Sequence, residues 1–422
     1  MEDKGTRIFR ITLFSVLLAA FLLGTAWQKD AIAKRKAIKL WATLPMTGPM
    51  ATHYAPIWYG VNSYWKMVNK NEGGIKGLPV EVVCHDDQYN IQKTLSGYAR
   101  IRTDPDIVCL TASQSALQEV LKPKLLADKM PLVGAHSIPV NTRPTTQFSP
   151  LGDYTLLAEA WIKWFKENWE KEGGKGSMKV GVITQPWGGA NDAWVGTQKF
   201  ARDNGVEIVG KLEVPLMPGE YSAELLKLKS LGANLIFFPC LAGAAIGIMK
   251  DAYKLGLTRD IKFLLGGATA GGTIIPKLGQ KAVEGLYGIH YGDWNPNTPA
   301  SKAMVEAVGK YHNWPHYGLE ILAPWFYMMV AHAGIEKAAE KVSIEELTHE
   351  DVLNGIRDLG KFDTPAGMAG PLDFTEANPT TIGATTACII RVMNGKWVRY
   401  SSPDSLLPLK FRPLDEFKEF RK

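Results

Sequence analysis

The segment VNKNEGGIKG, Val68 to Gly77, decides the fold because it ends one element and begins another. Gly73 and Gly74 stop a helix and supply the positive φ of a tight turn, which a residue without Cβ reaches at no steric cost. The turn feeds a strand, Val80–His85, that runs out into Asp86-Asp87. Upstream, a strand at Ile38–Leu44 opens into the loop Leu44-Pro45-Met46-Thr47-Gly48-Pro49-Met50-Ala51. Strand, loop, helix, turn and strand make one β-α-β step, and the step recurs. Further β-branched or apolar runs stand at Ile107–Leu110 and Leu132–Ala135. A second set follows Leu151-Gly152-Asp153, at Lys179–Thr184, Val206–Val209, Leu235–Phe238 and Ile261–Leu265, with helical stretches between. The expected fold is α/β, two Rossmann-like lobes with parallel central sheets. The halves repeat an architecture without repeating a sequence.

A third region breaks this rhythm. Tyr287–Tyr291 leads past Pro296 and Pro299 into helical stretches at Ser301–Tyr311 and Leu319–Ala339. Pro365, Gly367, Gly370 and Pro371 mark a loop, and Thr385–Val392 with Lys396–Tyr400 reads as a hairpin turning at Asn394-Gly395. The tail, Ser401 to Lys422, carries three prolines and alternating charges and is expected to wrap the surface without a core of its own.

Composition is that of an ordinary globular protein, 46% hydrophobic and 21% charged over 422 residues, a length that usually divides into two or more domains. A net charge of +6 without a dense Lys/Arg cluster argues against nucleic acid as a partner. Cys84, Cys109, Cys240 and Cys388 each end or interrupt an apolar run and none has CxxC spacing, so they are expected as buried free thiols rather than zinc ligands. At the amino end, Lys4, Arg7 and Arg10 precede the apolar run Ile11 to Gly24, and Ala31-Ile32-Ala33 offers small residues at −3 and −1. Residues 1–33 therefore read as a cleaved signal peptide, the alternative being a retained anchor over Ile8 to Ala26, and no cysteine follows the run to carry a lipid.

The ordered set described above resembles the type I periplasmic solute-binding proteins of branched-chain amino acid ABC importers, the Leu/Ile/Val-binding group. It continues through Thr111-Ala112-Ser113-Gln114-Ser115, Gly134-Ala135-His136-Ser137 and Gln185-Pro186-Trp187-Gly188-Gly189, and covers about residues 37–400. The resemblance implies two lobes joined by a three-crossing hinge, with crossings near 150, 290 and 365. Lobe one would hold 37–150 plus 291–365, lobe two 151–290 plus 366–400, and 401–422 would be a tail. It further implies a periplasmic location, a small-molecule ligand in the cleft, ABC permease subunits as partners and a monomeric chain.

By the same resemblance, Ser113, Ala135, His136 and Ser137 fall where relatives hold a ligand carboxylate. Exposed amides at a helix N-terminus with a neutral hydroxyl suit an anion, although Ser113 is equally placed to be an N-cap. Trp187 stands where the pattern has an aromatic wall, and His53 where a ligand-facing aromatic is frequent. Ala268 and Thr269 lie in Gly266-Gly267-Ala268-Thr269-Ala270, where amino-acid binders carry an acid for the α-ammonium. No acid is there, and burying an unpaired ammonium costs several kcal/mol. The expected ligand is a carboxylate with an apolar or aromatic body lacking an α-ammonium, the alternatives being a branched-chain amino acid, an amide, or a sensor-type receptor role. Asp86, Asp87 and Glu320 are the acids near enough to revise this.

No GxxxxGK[ST], GxSxG or HExxH is present, and Pro315 interrupts the His312/His316 spacing. The expectation is no catalytic residue, no metal and no cofactor.

Overall fold

The computed structural model describes residues 35–421 except Pro49, 135–136, 267–271, Pro315, 366–367, Ala369 and 403–405. Residues 1–33, read above as a signal peptide, lie outside the described residues. The first half runs β1 (Ile38–Leu44), α1 (Ala51–Glu72), β2 (Val80–Asp86), α2 (Ile91–Ile101), β3 (Ile107–Ala112), α3 (Ser115–Asp128), β4 (Leu132–Gly134), α4 (Ile138–Asn141) and β5 (Gln147–Phe148). The second runs α5 (Tyr154–Asn168), β6 (Lys179–Thr184), α6 (Gly188–Asn204), β7 (Glu207–Glu213), α7 (Ser222–Ser230), β8 (Leu235–Phe238), α8 (Ala242–Lys254), β9 (Lys262–Leu265), α9 (Ile274–Leu278), α10 (Gln280–Val283) and β10 (Tyr287–Tyr291).

Each half forms a parallel sheet, in the orders β2-β1-β3-β4-β5 and β7-β6-β8-β9-β10. The two orders are the same order, so the architectural repeat expected from the strand runs is present in the topology. Gly73 and Gly74 take φ of 73° and 89°, and a Cβ on Gly74 would lie 1.9 Å from the Leu78 carbonyl oxygen. Only glycine fits that turn.

The irregular third region supplies α11 (Pro299–His312), α12 (Leu319–Ala338) and α13 (His349–Arg357). They return to the first sheet, where α11 and α12 pack on α1, and α13 packs on α12 and β3. Gly60 allows this approach, since a Cβ there would sit 2.6 Å from Pro324 Cγ. The helix α12 is apolar on nearly all sides, as a helix enclosed by protein should be. Among the described residues no helix is long and apolar enough to cross a membrane.

After β11 (Lys361–Phe362) and β12 (Leu372–Asp373), β13 (Thr386–Met393) joins β10 antiparallel and turns into β14 (Lys396–Arg399). The turn carries φ of 52° at Asn394 and 72° at Gly395, the pair of left-handed residues a two-residue hairpin needs. Beyond β12 the chain keeps hydrogen bonds to the first half. Arg143 donates to the Phe374, Thr375 and Asn378 carbonyls, and Thr381 and Gly383 donate to the Asn141 and Ser149 carbonyls. The chain therefore stays beside the first sheet until about Thr385.

The tail is anchored in the core of the second half. After β15 (Leu407–Pro408), a 3-10 turn at Leu414–Phe420 places Phe417 at 0% exposure against Phe200. The tail's charges pair with α5 and α6, as in Arg412–Glu159 at 2.9 Å and Arg421–Asp192 at 3.0 Å. All four cysteines are free; Cys109, Cys240 and Cys388 are buried, and Cys84 is half-buried.

Candidate functional site

Open parallel sheets present ligands with the loops after their carboxyl strand ends, next to the point where strand order reverses. Here those loops meet in a cleft of about 470 Å³ of empty space, partly open to solvent, lined by residues of both halves. From the first come His53, Tyr54 and Ile57 on α1, Ser113 and Ser115 at the start of α3, and Leu319, Glu320, Ala323 and Tyr327 on one face of α12. Tyr154, Trp187 and Leu241 close the other side.

A wider depression of about 1020 Å³ opens at the amino ends of β9 and β10. It offers Arg259, Lys262 and Arg391, but Arg391 is engaged by Glu172 at 3.3 Å and by the rings of Tyr287 and Tyr400. The strand polarity places the candidate site in the cleft.

Five helices start at the cleft, and their N-caps are Met50 (α1), Gln114 (α3), Trp187 (α6), Leu241 (α8) and Gly318 (α12). None of these residues makes a side-chain capping bond. Of the remaining helices, α2, α5, α11 and α13 are capped by Asn90, Asp153, Thr298 and the Thr348–Asp351 box, and α4, α7, α9 and α10 are not. α12 carries the Glu320 carboxylate in its first turn, and the other four helices have neither a side-chain cap nor an acid in the first turn, so their positive ends face the cleft without a carboxylate of their own.

Ser113 lines the cleft and exchanges a hydrogen bond with the Tyr327 phenol; the N-cap beside it is Gln114. Trp187 stacks edge-on to Tyr154, ring centres 5.4 Å apart, and its buried Nε1 has no hydrogen-bond partner. His53 is half-buried with Nδ1 likewise unpartnered, and desolvation pulls its pKa down to about 4, so the ring is neutral at pH 7. Ser137 is turned elsewhere: it is 1% exposed and its hydroxyl bonds Asp192. Ala135, His136, Ala268 and Thr269 lie outside the described residues.

The acids divide sharply. Asp87 is fully buried and takes bonds from Thr43 Oγ1, both its oxygens from Gln114 Nε2, and Tyr89 N–H. Asp86 ties the first loop, accepting from Met46 N–H, Thr47 N–H and hydroxyl, and Gln88 N–H; burial opposes its charge, but these bonds prevail and hold its pKa below the usual carboxylate value. Neither faces the ligand space. Glu320 does. It is 3% exposed, its pKa is raised by desolvation, and it accepts Gly272 N–H at 2.8 Å and the Thr273 hydroxyl at 3.1 Å. Gly272 and Gly318 make room for it, since a Cβ on Gly318 would lie 2.5 Å from Glu320 Oε2.

Sequence reasoning missed Tyr54, Ile57, Ser115, Tyr154, Leu319, Ala323 and Tyr327 as lining residues. The signal was available in part: Leu319, Ala323 and Tyr327 repeat at four-residue spacing, one helix face. Among the described lining residues there is no Lys or Arg, and no cluster of three metal-ligating side chains occurs among the described residues.

A two-sheet α/β scaffold holding one cleft at its carboxyl strand ends defines a ligand-binding protein of the clamshell class. The chain belongs to the periplasmic binding protein family, which it matches over residues 37–395. Solved structures of the same fold include a branched-chain amino acid ABC transporter protein from Thermus thermophilus with bound valine. It is 22% identical with a TM-score of 0.75, over 92% of this chain and 99% of that one. A fatty acid ABC transporter substrate-binding protein from Thermomonospora curvata is 20% identical with a TM-score of 0.73, over 89% and 96% of the chains. A solute-binding protein from R. palustris in complex with benzoate is 16% identical with a TM-score of 0.72, over 88% and 97%. No curated protein matches the chain in a sequence search.

Proposed function

We propose that this protein is the solute-binding component of an ABC importer, exported by a signal peptide at residues 1–33 to a periplasm. In this reading it captures a small organic carboxylate with an apolar or aromatic body and presents it to membrane permease subunits as a monomer without catalytic activity. The observation that carries the reading is the convergence of four helix N-termini without cap or first-turn acid, those of α1, α3, α6 and α8, on a cleft lined by Trp187 and Ser113, with no Lys or Arg among its described lining residues. Neutral dipoles aimed at one point bind an anion without the desolvation that a full counter-charge would need. The apolar remainder, Ile57, Leu241, Leu319 and Ala323, fits a hydrocarbon or ring. Valine and benzoate, named for two relatives, are both carboxylates.

Lobe one is then 37–150 with the region from 291 to about 384, and lobe two is 151–290 with the hairpin to 400. Ligand docks on lobe one through Ser113, and Trp187 and Leu241 of lobe two close over it, so binding stabilises the shut form that a permease reads. A branched-chain amino acid is the second reading, favoured by Glu320 as the one acid among the described residues lining the cleft. Titration calorimetry with benzoate, hexanoate, leucine and valine separates the two. Acids without an ammonium are expected to bind; tight binding of leucine or valine with both acids inert overturns the proposal.

A further inference from the structure

Beside the cleft the two halves are joined through a buried carboxylate. Glu320 stands in the first turn of α12, which packs against the first half, whereas Gly272 and Thr273 lead from β9 of the second sheet into α9. The carboxylate accepts Gly272 N–H at 2.8 and 3.1 Å and the Thr273 hydroxyl at 3.1 Å, and the Thr273 and Glu320 backbone N–H groups bond it as well. All but the last of these donors come from the second half. Hydrogen bonds to a charged acceptor keep a net worth after exchange with water, so separating the halves weakens the hold on Glu320. The backbones also meet directly: a Cβ on Gly318 would fall 2.4 Å from Gly272 N and 2.7 Å from its Cα. Leu241 of the second half extends the seam, buried among Leu44, Met50, Tyr54 and Ile57 of the first. Acceptor, donors and apolar partners are all protein groups, so the contact forms with or without a solute.

We propose that Glu320 is a latch between the lobes: by gripping Gly272 and Thr273 it keeps a substantial fraction of solute-free molecules shut, and a solute completes a closure that the chain begins by itself. This rests on the two-lobe closure proposed above. The latch acts on the equilibrium between open and shut forms, so every solute that binds the shut form gains from it by the same factor. Glycine at 272 and 318 lets the two backbones approach closely enough for one carboxylate to serve both helix starts.

Electron–electron resonance between two spin labels on the full mature chain tests the inference by reading the distance between the halves. The labels go on Gln92→Cys at the start of α2 and Glu220→Cys in the loop after β7, both exposed, with the half-buried native thiol removed by Cys84→Ser. Without added solute, the otherwise unchanged chain is expected to show a shut population. Glu320→Gln and Thr273→Val should each lower the ratio of shut to open molecules by about tenfold. Thr273→Val leaves the carboxylate on α12, so it carries the test should Glu320→Gln fail to fold. Gly318→Ala, which drives a methyl group into Gly272, marks the open distance. Benzoate, hexanoate, leucine and valine, added separately, mark the shut one. A chain wholly open without solute overturns the latch, as does a ratio that neither variant changes while Gly318→Ala opens the cleft. One unvarying distance in every form, Gly318→Ala included and with each solute present, overturns the two-lobe closure instead.

Discussion

The cleft and the polar cluster around Asp192 both lie where elements of the two halves meet, yet they treat charge in opposite ways. In the cleft, helix ends stay uncapped and Trp187 Nε1 and His53 Nδ1 stay unpartnered. Behind it, the Ser137 hydroxyl and Arg421 both meet Asp192, and Asp153 caps α5 by accepting Thr155 N–H at 2.6 Å while also taking Ile138 N–H at 2.7 Å. The difference is one of charge: the cluster pairs Asp192 with Arg421 and Ser137 while leaving Asp192 Oδ2 and Arg421 Nε without a hydrogen bond, whereas the unpartnered groups of the cleft are neutral. A seam that must hold through opening and closing benefits from internal pairing, whereas a site that must discriminate benefits from preorganised groups with nothing else to bind.

The largest effect is expected where the charged cluster is anchored. Phe417 fastens the tail that delivers Arg421, and Phe417→Ala should cost about 3–5 kcal/mol of stability, as deletion of a fully buried aromatic does. Urea denaturation measures it. Ligand affinity of the folded protein should stay within about twofold, because distant sites act independently; a parallel collapse of affinity would mean that the two regions are one.

Acidity separates them next. Desolvation, then the neighbouring charge of Asp153, pushes Asp192 up to about 7, against the partial relief of Arg421. Between about pH 4 and about 7 the folded state therefore holds a proton that the unfolded chain has released, so stability falls as pH rises through that window and levels above it. The decline should be about 2–4 kcal/mol. Asp153, also raised chiefly by desolvation, acts in the same sense. Asp192→Asn should flatten most of the slope in denaturation midpoints measured from pH 4 to 8; an unchanged slope would assign it elsewhere.

Most of the scaffold was legible in the sequence, for a local reason. Strand runs such as Lys179–Thr184 and Leu235–Phe238, and the glycine pair at 73–74, are specified by neighbours in the chain, and they appear where read. What escaped was nonlocal. Val206–Val209 gave too short a strand because β7 is an edge with one half-exposed face, so its polar residues through Glu213 hid the pattern. Phe417 looked like part of a charged tail because its partner, Phe200, is far away in the chain. The cleft was half legible: Ser113 and Trp187 stand on loops whose position follows from strand order. Glu320 reaches the ligand space only because α12 returns to pack on α1, and Ser137 is drawn off by Asp192, and neither event has a local signature.

Within the cleft, Ser113→Ala should weaken carboxylate binding by about 1–3 kcal/mol, the worth of a hydrogen bond to a charged group. Stability should scarcely change, since Ser113 caps no helix. Calorimetry with benzoate reads the first and thermal unfolding the second. An equal loss in both would make the hydroxyl a brace for Tyr327 rather than a ligand contact.

The smallest effect gives the sharpest contrast. Thr348 caps α13 with Asp351 in a reciprocal box, the kind of cap that the helices at the cleft lack. Thr348→Ala should cost about 0.5–2 kcal/mol of stability, the usual worth of an N-cap, and leave ligand affinity untouched. The converse change, Ser115→Asp, sets a carboxylate in the first turn of α3, where it satisfies the same helix end that the ligand is expected to use. That variant should keep or gain a few tenths of a kcal/mol in stability while losing affinity for benzoate. Capping stabilises a helix whether the anion comes from a side chain or from solution. If the two substitutions shifted stability and affinity in the same direction, the absence of caps around the cleft would have nothing to do with binding.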